Sequence, residues 1–201
     1  MNPAAPKTDL GLTRIHATTM PSTTQTSQVG RSDPSVNKQV LLDLSAIDLS
    51  GTVADRAQIA EWIPHRHEMA LLDSIVWSSD DFGSGVGRWD VREDEFWVRG
   101  HFPEKAMLPG VLQVEAGAQL ACYLYNRRYG RSNPAAFLRI EEAVFRLSVE
   151  PGQQLLILCR EIKCSSRRFI TQIQGLINGD QVAFEGRIHG MNMQGRIRTR
   201  D

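Results

Sequence analysis

Two side chains capable of proton transfer lie close together in the chain: His101 at the end of a polar loop, and Glu115 inside an apolar run, with Pro109 and Gly110 between them. Histidine titrates near neutrality and is the natural general base of the pair. At Glu115 two effects compete. A helix dipole would favour its charge but fades beyond the first turn, whereas apolar surroundings disfavour charge throughout, so desolvation is expected to win and leave a carboxylic acid able to donate a proton. Gln119, one helical turn further on, would orient that carboxyl group by hydrogen bonding. If a helix begins at Pro109 or Gly110, the N–H groups of Gly110 and Val111 have no intrahelical partner and point at whatever binds there. Gly110 lets a ligand approach the backbone closely. Base, acid and free N–H groups at one helix start suit a reaction that builds negative charge on a carbonyl oxygen while a proton leaves the adjacent carbon.

The element that must carry this chemistry is the helix itself. Val111, Leu112, Val114, Ala116, Ala118, Leu120, Ala121 and Leu124 fall on every side of it, and a helix apolar all round is a buried helix. Upstream, Asp55 with Gln58 forms a capping pair for a short helix from Arg56 to Ile63, ended by Pro64. Strands are expected over Met69 to Trp77 and Gly85 to Val91, with a short extended piece from Phe96 to Val98. Four more follow the helix: Ala135 to Phe145, Gln154 to Lys163, Arg167 to Ile177 and Gln181 to His189. Asn178-Gly179 marks a hairpin between the last two, because both residues tolerate positive φ. One buried helix amid about six strands predicts an α+β fold with an antiparallel sheet curled around the helix.

Residues 1–50 are read as a disordered N-terminal extension, polar and without sustained period, although residues 41–50 bring back aliphatics that can dock on the domain. Residues 51–190 form the domain, and 191–201 a C-terminal tail. The extension lacks both the h-region of a secretory signal and the acid-poor balance of a transit peptide. Lys plus Arg equals Asp plus Glu at 23 each, so no basic field recruits nucleic acid, and no apolar run is long enough to cross a bilayer. Cys122, Cys159 and Cys164 form neither a disulfide framework nor a metal-ligand spacing and fit buried positions in a cytoplasmic protein. His65 and His67 would share a face of an extended segment, but with no third ligand at a recognisable spacing they are read as loop histidines at a pocket mouth rather than a metal site.

The run Gly-His-Phe-Pro, residues 100–103, continued by Pro109-Gly110-Val111-Leu112 and by Glu115-Ala116 with Ala118-Gln119, resembles the active-site stretch of the FabZ-type 3-hydroxyacyl-[acyl-carrier-protein] dehydratases. The likeness extends from about Ile59 to Gly190. It includes Pro64-His65-Arg66, Leu71-Leu72-Asp73, Ile140 to Ala143, Phe145-Arg146 and Pro151-Gly152. It implies a hot-dog fold, a homodimer or trimer of dimers, and active sites at the subunit interface. His101 would act at C2 of a (3R)-hydroxyacyl thioester and Glu115, supplied across the interface, would assist loss of the C3 hydroxyl. The Gly110 N–H would bind the thioester carbonyl, with Val111 and Gln119 completing the substrate site. The product would be a trans-2-enoyl thioester in fatty acid biosynthesis. No metal or organic cofactor is implied. The partner would be acyl carrier protein, with Arg127, Arg128 and Arg131 as candidate contacts. This chain departs from the family with Glu104 and Ala106 in place of Gly and Pro, and with His67-Glu68 in place of Tyr-Pro. A hot-dog thioesterase and a non-catalytic acyl-thioester or carrier-protein binding module are the alternatives.

Overall fold

The computed structural model describes residues 39–130 and 134–193. The greater part of the expected extension, the tail from residue 194 and Arg131 therefore lie outside the described residues. Seven antiparallel strands form one sheet in the order β1-β2-β3-β5-β6-β7-β4. They are β1 (Ala54–Asp55), β2 (Ser74–Ser78), β3 (Ser84–Asp90), β4 (Ala135–Phe145), β5 (Gln154–Cys164), β6 (Arg168–Ile177) and β7 (Gln181–Asn192). Helix α1 (Arg56–Trp62) precedes β2, and the long α2 (Gly110–Tyr129) lies against the sheet.

The sheet closes on α2 through a core that joins Leu120, Tyr123 and Leu124 of the helix to Trp89, Leu155, Ile157, Ile173 and Phe184 of the strands. Strand β5 shows why its sequence is continuously apolar. Leu155, Ile157 and Cys159 face the helix, while Leu156 and Leu158 face a second cluster on the outer side. That outer cluster is covered by the segment before β1. Leu41 is buried there, its N–H donates to Gln174 Oε1 at 2.8 Å, and its carbonyl accepts from Arg160. Residues 41–50, given above to the extension, thus pack on the domain.

Helix α1 begins as its sequence dictates. Asp55 Oδ1 accepts from the Gln58 N–H at 2.8 Å and Gln58 Oε1 accepts from the Asp55 N–H at 2.9 Å, a complete capping box. Its last carbonyl, on Trp62, accepts from Asn126 of α2 at 2.7 Å. The hairpin between β6 and β7 turns on Asn178 and Gly179, at φ 54° and 90°.

Two strand expectations are corrected. Residues His67–Met69 form a single 3-10 turn with His67 at φ 55°, so β2 starts only at Ser74. Phe96 to Val98 lie in a run of turns, with Trp97 buried, because packing of that indole rather than strand pairing fixes the segment. Strand β7 reaches two residues beyond the expected domain end, pairing Met191 with Arg168 and Ala136. Among the described residues no helix is long and apolar enough to cross a membrane.

Candidate active site

His101 sits at the neck of a loop that returns on itself. The Met107 N–H donates to the His101 carbonyl at 2.8 Å, and Phe102 and Lys105 exchange backbone hydrogen bonds at 3.2 Å each. Lys105 pairs with Glu150 at 2.8 Å, tying the loop tip to the connection between β4 and β5. Glu104 is exposed and Ala106 packs against the core; neither is among the residues with positive φ, so this loop closes without the Gly and Pro usual at those places.

The imidazole is held from one side. Nδ1 lies 2.7 Å from the Met107 carbonyl, which can only accept, so Nδ1 carries a proton and, in the neutral ring, the lone pair is on Nε2. A cavity of about 420 Å³ is lined by His101, Gly110, Val111, Gln113, Phe145 and Ser148 among others. Helix α2 opens at this cavity with Pro109 as N-cap and no side chain capping it. The Pro109 carbonyl accepts from Leu112 and Gln113, leaving the N–H groups of Gly110 and Val111 outside the helical hydrogen bonds. Val111 is 74% exposed at this end. A Cβ on Gly110 would stand 2.7 Å from Phe145 Cε1, so the ring closes over the backbone only because no side chain intervenes.

Glu115 is elsewhere. Five residues turn a helix through roughly 140°, and Glu115 faces away from Gly110, into a small pocket with His65, Ala118, Cys122, Phe137 and Phe169. Its side chain is 20% exposed. Oε1 accepts from Gln119 Nε2 at 3.0 Å and lies 3.2 Å from His65 Nε2. The expected gathering of His101, Glu115 and the free N–H groups at one helix start is therefore corrected for the single chain: the His101 imidazole and the N–H groups share one cavity, and the Glu115 carboxyl group lines another. Gln119 is fully buried, accepting from the Leu71 N–H at 3.1 Å and donating to the Met69 carbonyl at 2.8 Å as well as to Glu115, so its amide is committed to the protein and holds the Glu115 carboxyl group.

The basic end of α2 is engaged within the chain. Arg127 lies 4.9 Å over the Trp62 ring and 5.0 Å over that of Phe82, and donates to the Tyr123 hydroxyl. Arg128 pairs with Glu161 and Asp81. Both brace α2 against its neighbours, which removes the reason to read them as carrier-protein contacts. Cys122 and Cys159 are buried in the core, and burial pushes the Cys122 thiol up to about 12. Among the described residues no group of three His, Cys, Asp or Glu side chains could hold a metal ion.

His65 is the residue that sequence reasoning placed only at a pocket mouth. It meets Glu115 across a long loop of chain, and the available signal was its fixed place after Pro64, next to an arginine that grips the backbone. Arg66 donates to the carbonyls of Ala60, Ile63 and His65 at 2.7–2.8 Å, which anchors the imidazole to the end of α1.

Residues 63–187 match the FabA-like domain. The 3-hydroxyacyl-[acyl-carrier-protein] dehydratase FabZ of Brucella abortus is 40% identical over 112 residues, spanning 55% of this chain and 71% of the relative. The FabZ dehydratase of Rickettsia africae is 40% identical over 107 residues, 52% of this chain and 73% of the relative. Among solved structures, the dehydratase heterocomplex ApeI:P from Xenorhabdus doucetiae aligns with a TM-score of 0.54 at 17% identity, covering 67% of this chain and 90% of that one; it speaks for the shared hot-dog fold. With the helix-wrapping sheet, the loop histidine and the helix glutamate in place, the chain belongs to the FabA-like domain family, alongside the FabZ-type dehydratases.

Proposed function

We propose that this protein removes water from a (3R)-3-hydroxyacyl thioester borne by acyl carrier protein, giving the trans-2-enoyl thioester in fatty acid biosynthesis, and that it does so as a homodimer whose two sites are each shared between subunits. The observation that carries the catalytic half is the contact of His101 Nδ1 with the Met107 carbonyl at 2.7 Å. It occupies Nδ1, so in the neutral ring Nε2 is the nitrogen able to take a proton, and His101 lines the same cavity as the unpaired N–H groups of α2.

The shared site follows from strand β4. It is an edge of the sheet, and Phe137, Leu138, Ile140, Val144 and Phe145 are all exposed along it. A long apolar edge strand is a template for pairing with another chain. Two copies of β4 paired antiparallel about a two-fold axis set the Phe145 end of one against the Phe137 end of the other. Phe145 lines the His101 cavity and Phe137 lines the Glu115 pocket. Such pairing brings the base of one subunit towards the acid of its partner, which a single chain keeps apart.

In the reaction, His101 Nε2 takes the C2 proton while the Gly110 and Val111 N–H groups stabilise the charge building on the thioester oxygen. The C3–O bond breaks as the partner's Glu115 gives its proton to the hydroxyl, which departs as water. The enzyme ends with the proton on His101 and a carboxylate at Glu115, and proton exchange with solvent resets both. Three free cysteines support a reducing cytosol as its compartment.

The test is to incubate the full chain with 3-hydroxybutyryl carrier protein and follow the thioester by mass spectrometry. Loss of one water's mass is expected. Release of free acid would instead mean a thioesterase, and an unchanged but bound thioester a binding module. Glu115→Gln and His101→Ala should each abolish turnover with the fold intact.

A further inference from the structure

Glu115 has a second protein partner whose role goes beyond that reading while resting on it. Both contacts to its carboxyl group fall on one oxygen: Gln119 Nε2 at 3.0 Å and His65 Nε2 at 3.2 Å both address Oε1. Oε2 is left for a substrate. With Oε1 hydrogen-bonded to Gln119 Nε2 and His65 Nε2 at ion-pair distance from the same atom, the carboxyl group has little rotational freedom and its other oxygen has a defined direction.

The state of His65 can be read from its other nitrogen. Nδ1 is buried and has no hydrogen-bond partner. The ring stands between the Glu115 pocket and a mostly apolar cavity of about 510 Å³ formed with α1. The charged or titratable groups on that side are Arg56, Arg66 and His67, and those on the other are Glu115 and the Cys122 thiol, which burial keeps protonated. Arg56 is held by Asp73 and the Ala70 carbonyl, and Arg66 by three carbonyls, so neither is an acceptor for a proton on Nδ1. A doubly protonated imidazole would bury a charged N–H without an acceptor beside two guanidinium groups, whereas a neutral ring buries only a lone pair. Nε2 then carries the single proton, 3.2 Å from Glu115 Oε1.

We propose that His65 is a positioning residue for the acid: as a neutral Nε2–H donor it works with Gln119 to fix Oε1 of Glu115, directing Oε2 at the departing hydroxyl.

The test compares full-length wild type, His65→Ala and His65→Gln with 3-hydroxybutyryl carrier protein, alongside their melting temperatures. A glutamine amide reaches about where Nε2 stands and restores a neutral donor. His65→Ala should lower kcat about tenfold to hundredfold with KM within about twofold, the loss expected for one hydrogen bond to an ionisable group acting in the transition state. His65→Gln should recover to within about fivefold of wild type. Wild-type kcat in His65→Ala, or equal loss in two stably folded variants, would overturn the proposal.

A second readout needs no turnover. Nitrogen-15 NMR of ring-labelled protein at neutral pH should show His65 protonated at Nε2 alone, with the Nε2–H resonance displaced in Glu115→Ala. Protonation at Nδ1, or an Nε2–H resonance unmoved in Glu115→Ala, contradicts the assignment. A wild type inert towards the hydroxyacyl thioester would refute the dehydratase reading, and the NMR result would then decide the role of His65 by itself.

Discussion

Gly110 is asked to do two things, to admit the Phe145 ring and to leave two N–H groups open, and Gly110→Ala separates them. The added methyl would lie 2.7, 2.9 and 3.0 Å from three carbons of Phe145. Carbon atoms rest at about 3.5–4.0 Å, so the ring must retreat by roughly 1 Å. Phe145 is 48% exposed within one chain, so no residue of its own chain blocks that retreat. The packing cost should therefore be at the low end of the overpacking range, about 1 kcal/mol, and Tm should fall by about 2–4 °C. The catalytic cost should be larger. A methyl at the first helical position would stand over the N–H groups proposed to receive the thioester oxygen, and losing one such donor lowers kcat by about 10²–10³. Adding Phe145→Ala to Gly110→Ala removes the clash. Calorimetry should then show no further loss attributable to Gly110→Ala, while turnover of 3-hydroxybutyryl carrier protein stays low compared with Phe145→Ala alone. Recovery of kcat together with Tm in that double variant would mean that Gly110 serves packing only.

Other outcomes follow from the surrounding structure. Burial opposes charge on Asp73, but hydrogen bonds from Arg56, the Asp90 N–H and Arg92 outweigh it and hold this carboxyl group below the usual carboxylate range. A depressed folded-state value stabilises above the unfolded value of about 3.9 and is lost as pH falls through the folded one, so acid unfolding should steepen below about pH 4 and be shallower in Asp73→Asn, which should also lose about 1–3 kcal/mol at neutral pH by urea titration. Because burial raises the Cys122 thiol to about 12 and raises that of Cys159 as well, native protein should label with a thiol reagent at Cys164 well before either, and equal labelling rates would contradict the buried assignment. Arg127→Ala should lower Tm through loss of its stacking on Trp62 and Phe82 while leaving KM for the carrier-borne substrate unchanged; a raised KM with unchanged Tm would return this residue to the partner surface.

What could be read from the sequence was local. The capping box at Asp55, the Asn178-Gly179 turn and the helix beginning at Gly110 are each set by neighbouring residues, and each appears where the residue types demand. What could not be read was set by distant contacts. The aliphatics of residues 41–50 match no single period because they cover the outer face of β5 irregularly rather than joining a helix or strand. The apolar run from Met69 reads as strand, yet its backbone groups at Met69 and Leu71 are taken by the Gln119 side chain. At the site, the residue types were visible and their geometry was not. Proximity in sequence put Glu115 beside His101, whereas its position around the helix points it at His65.

The division of the site between subunits is tested most directly by mixing two inactive proteins. His101→Ala and Glu115→Gln are unfolded together in equal amounts, refolded so that subunits exchange, and assayed for dehydration. Random pairing makes about half of the dimers mixed, and each mixed dimer has one site with both wild-type residues, so about one quarter of wild-type activity should return. If His101 and Glu115 act within one chain, every site in the mixture lacks one of them, and activity will stay at the level of the single variants.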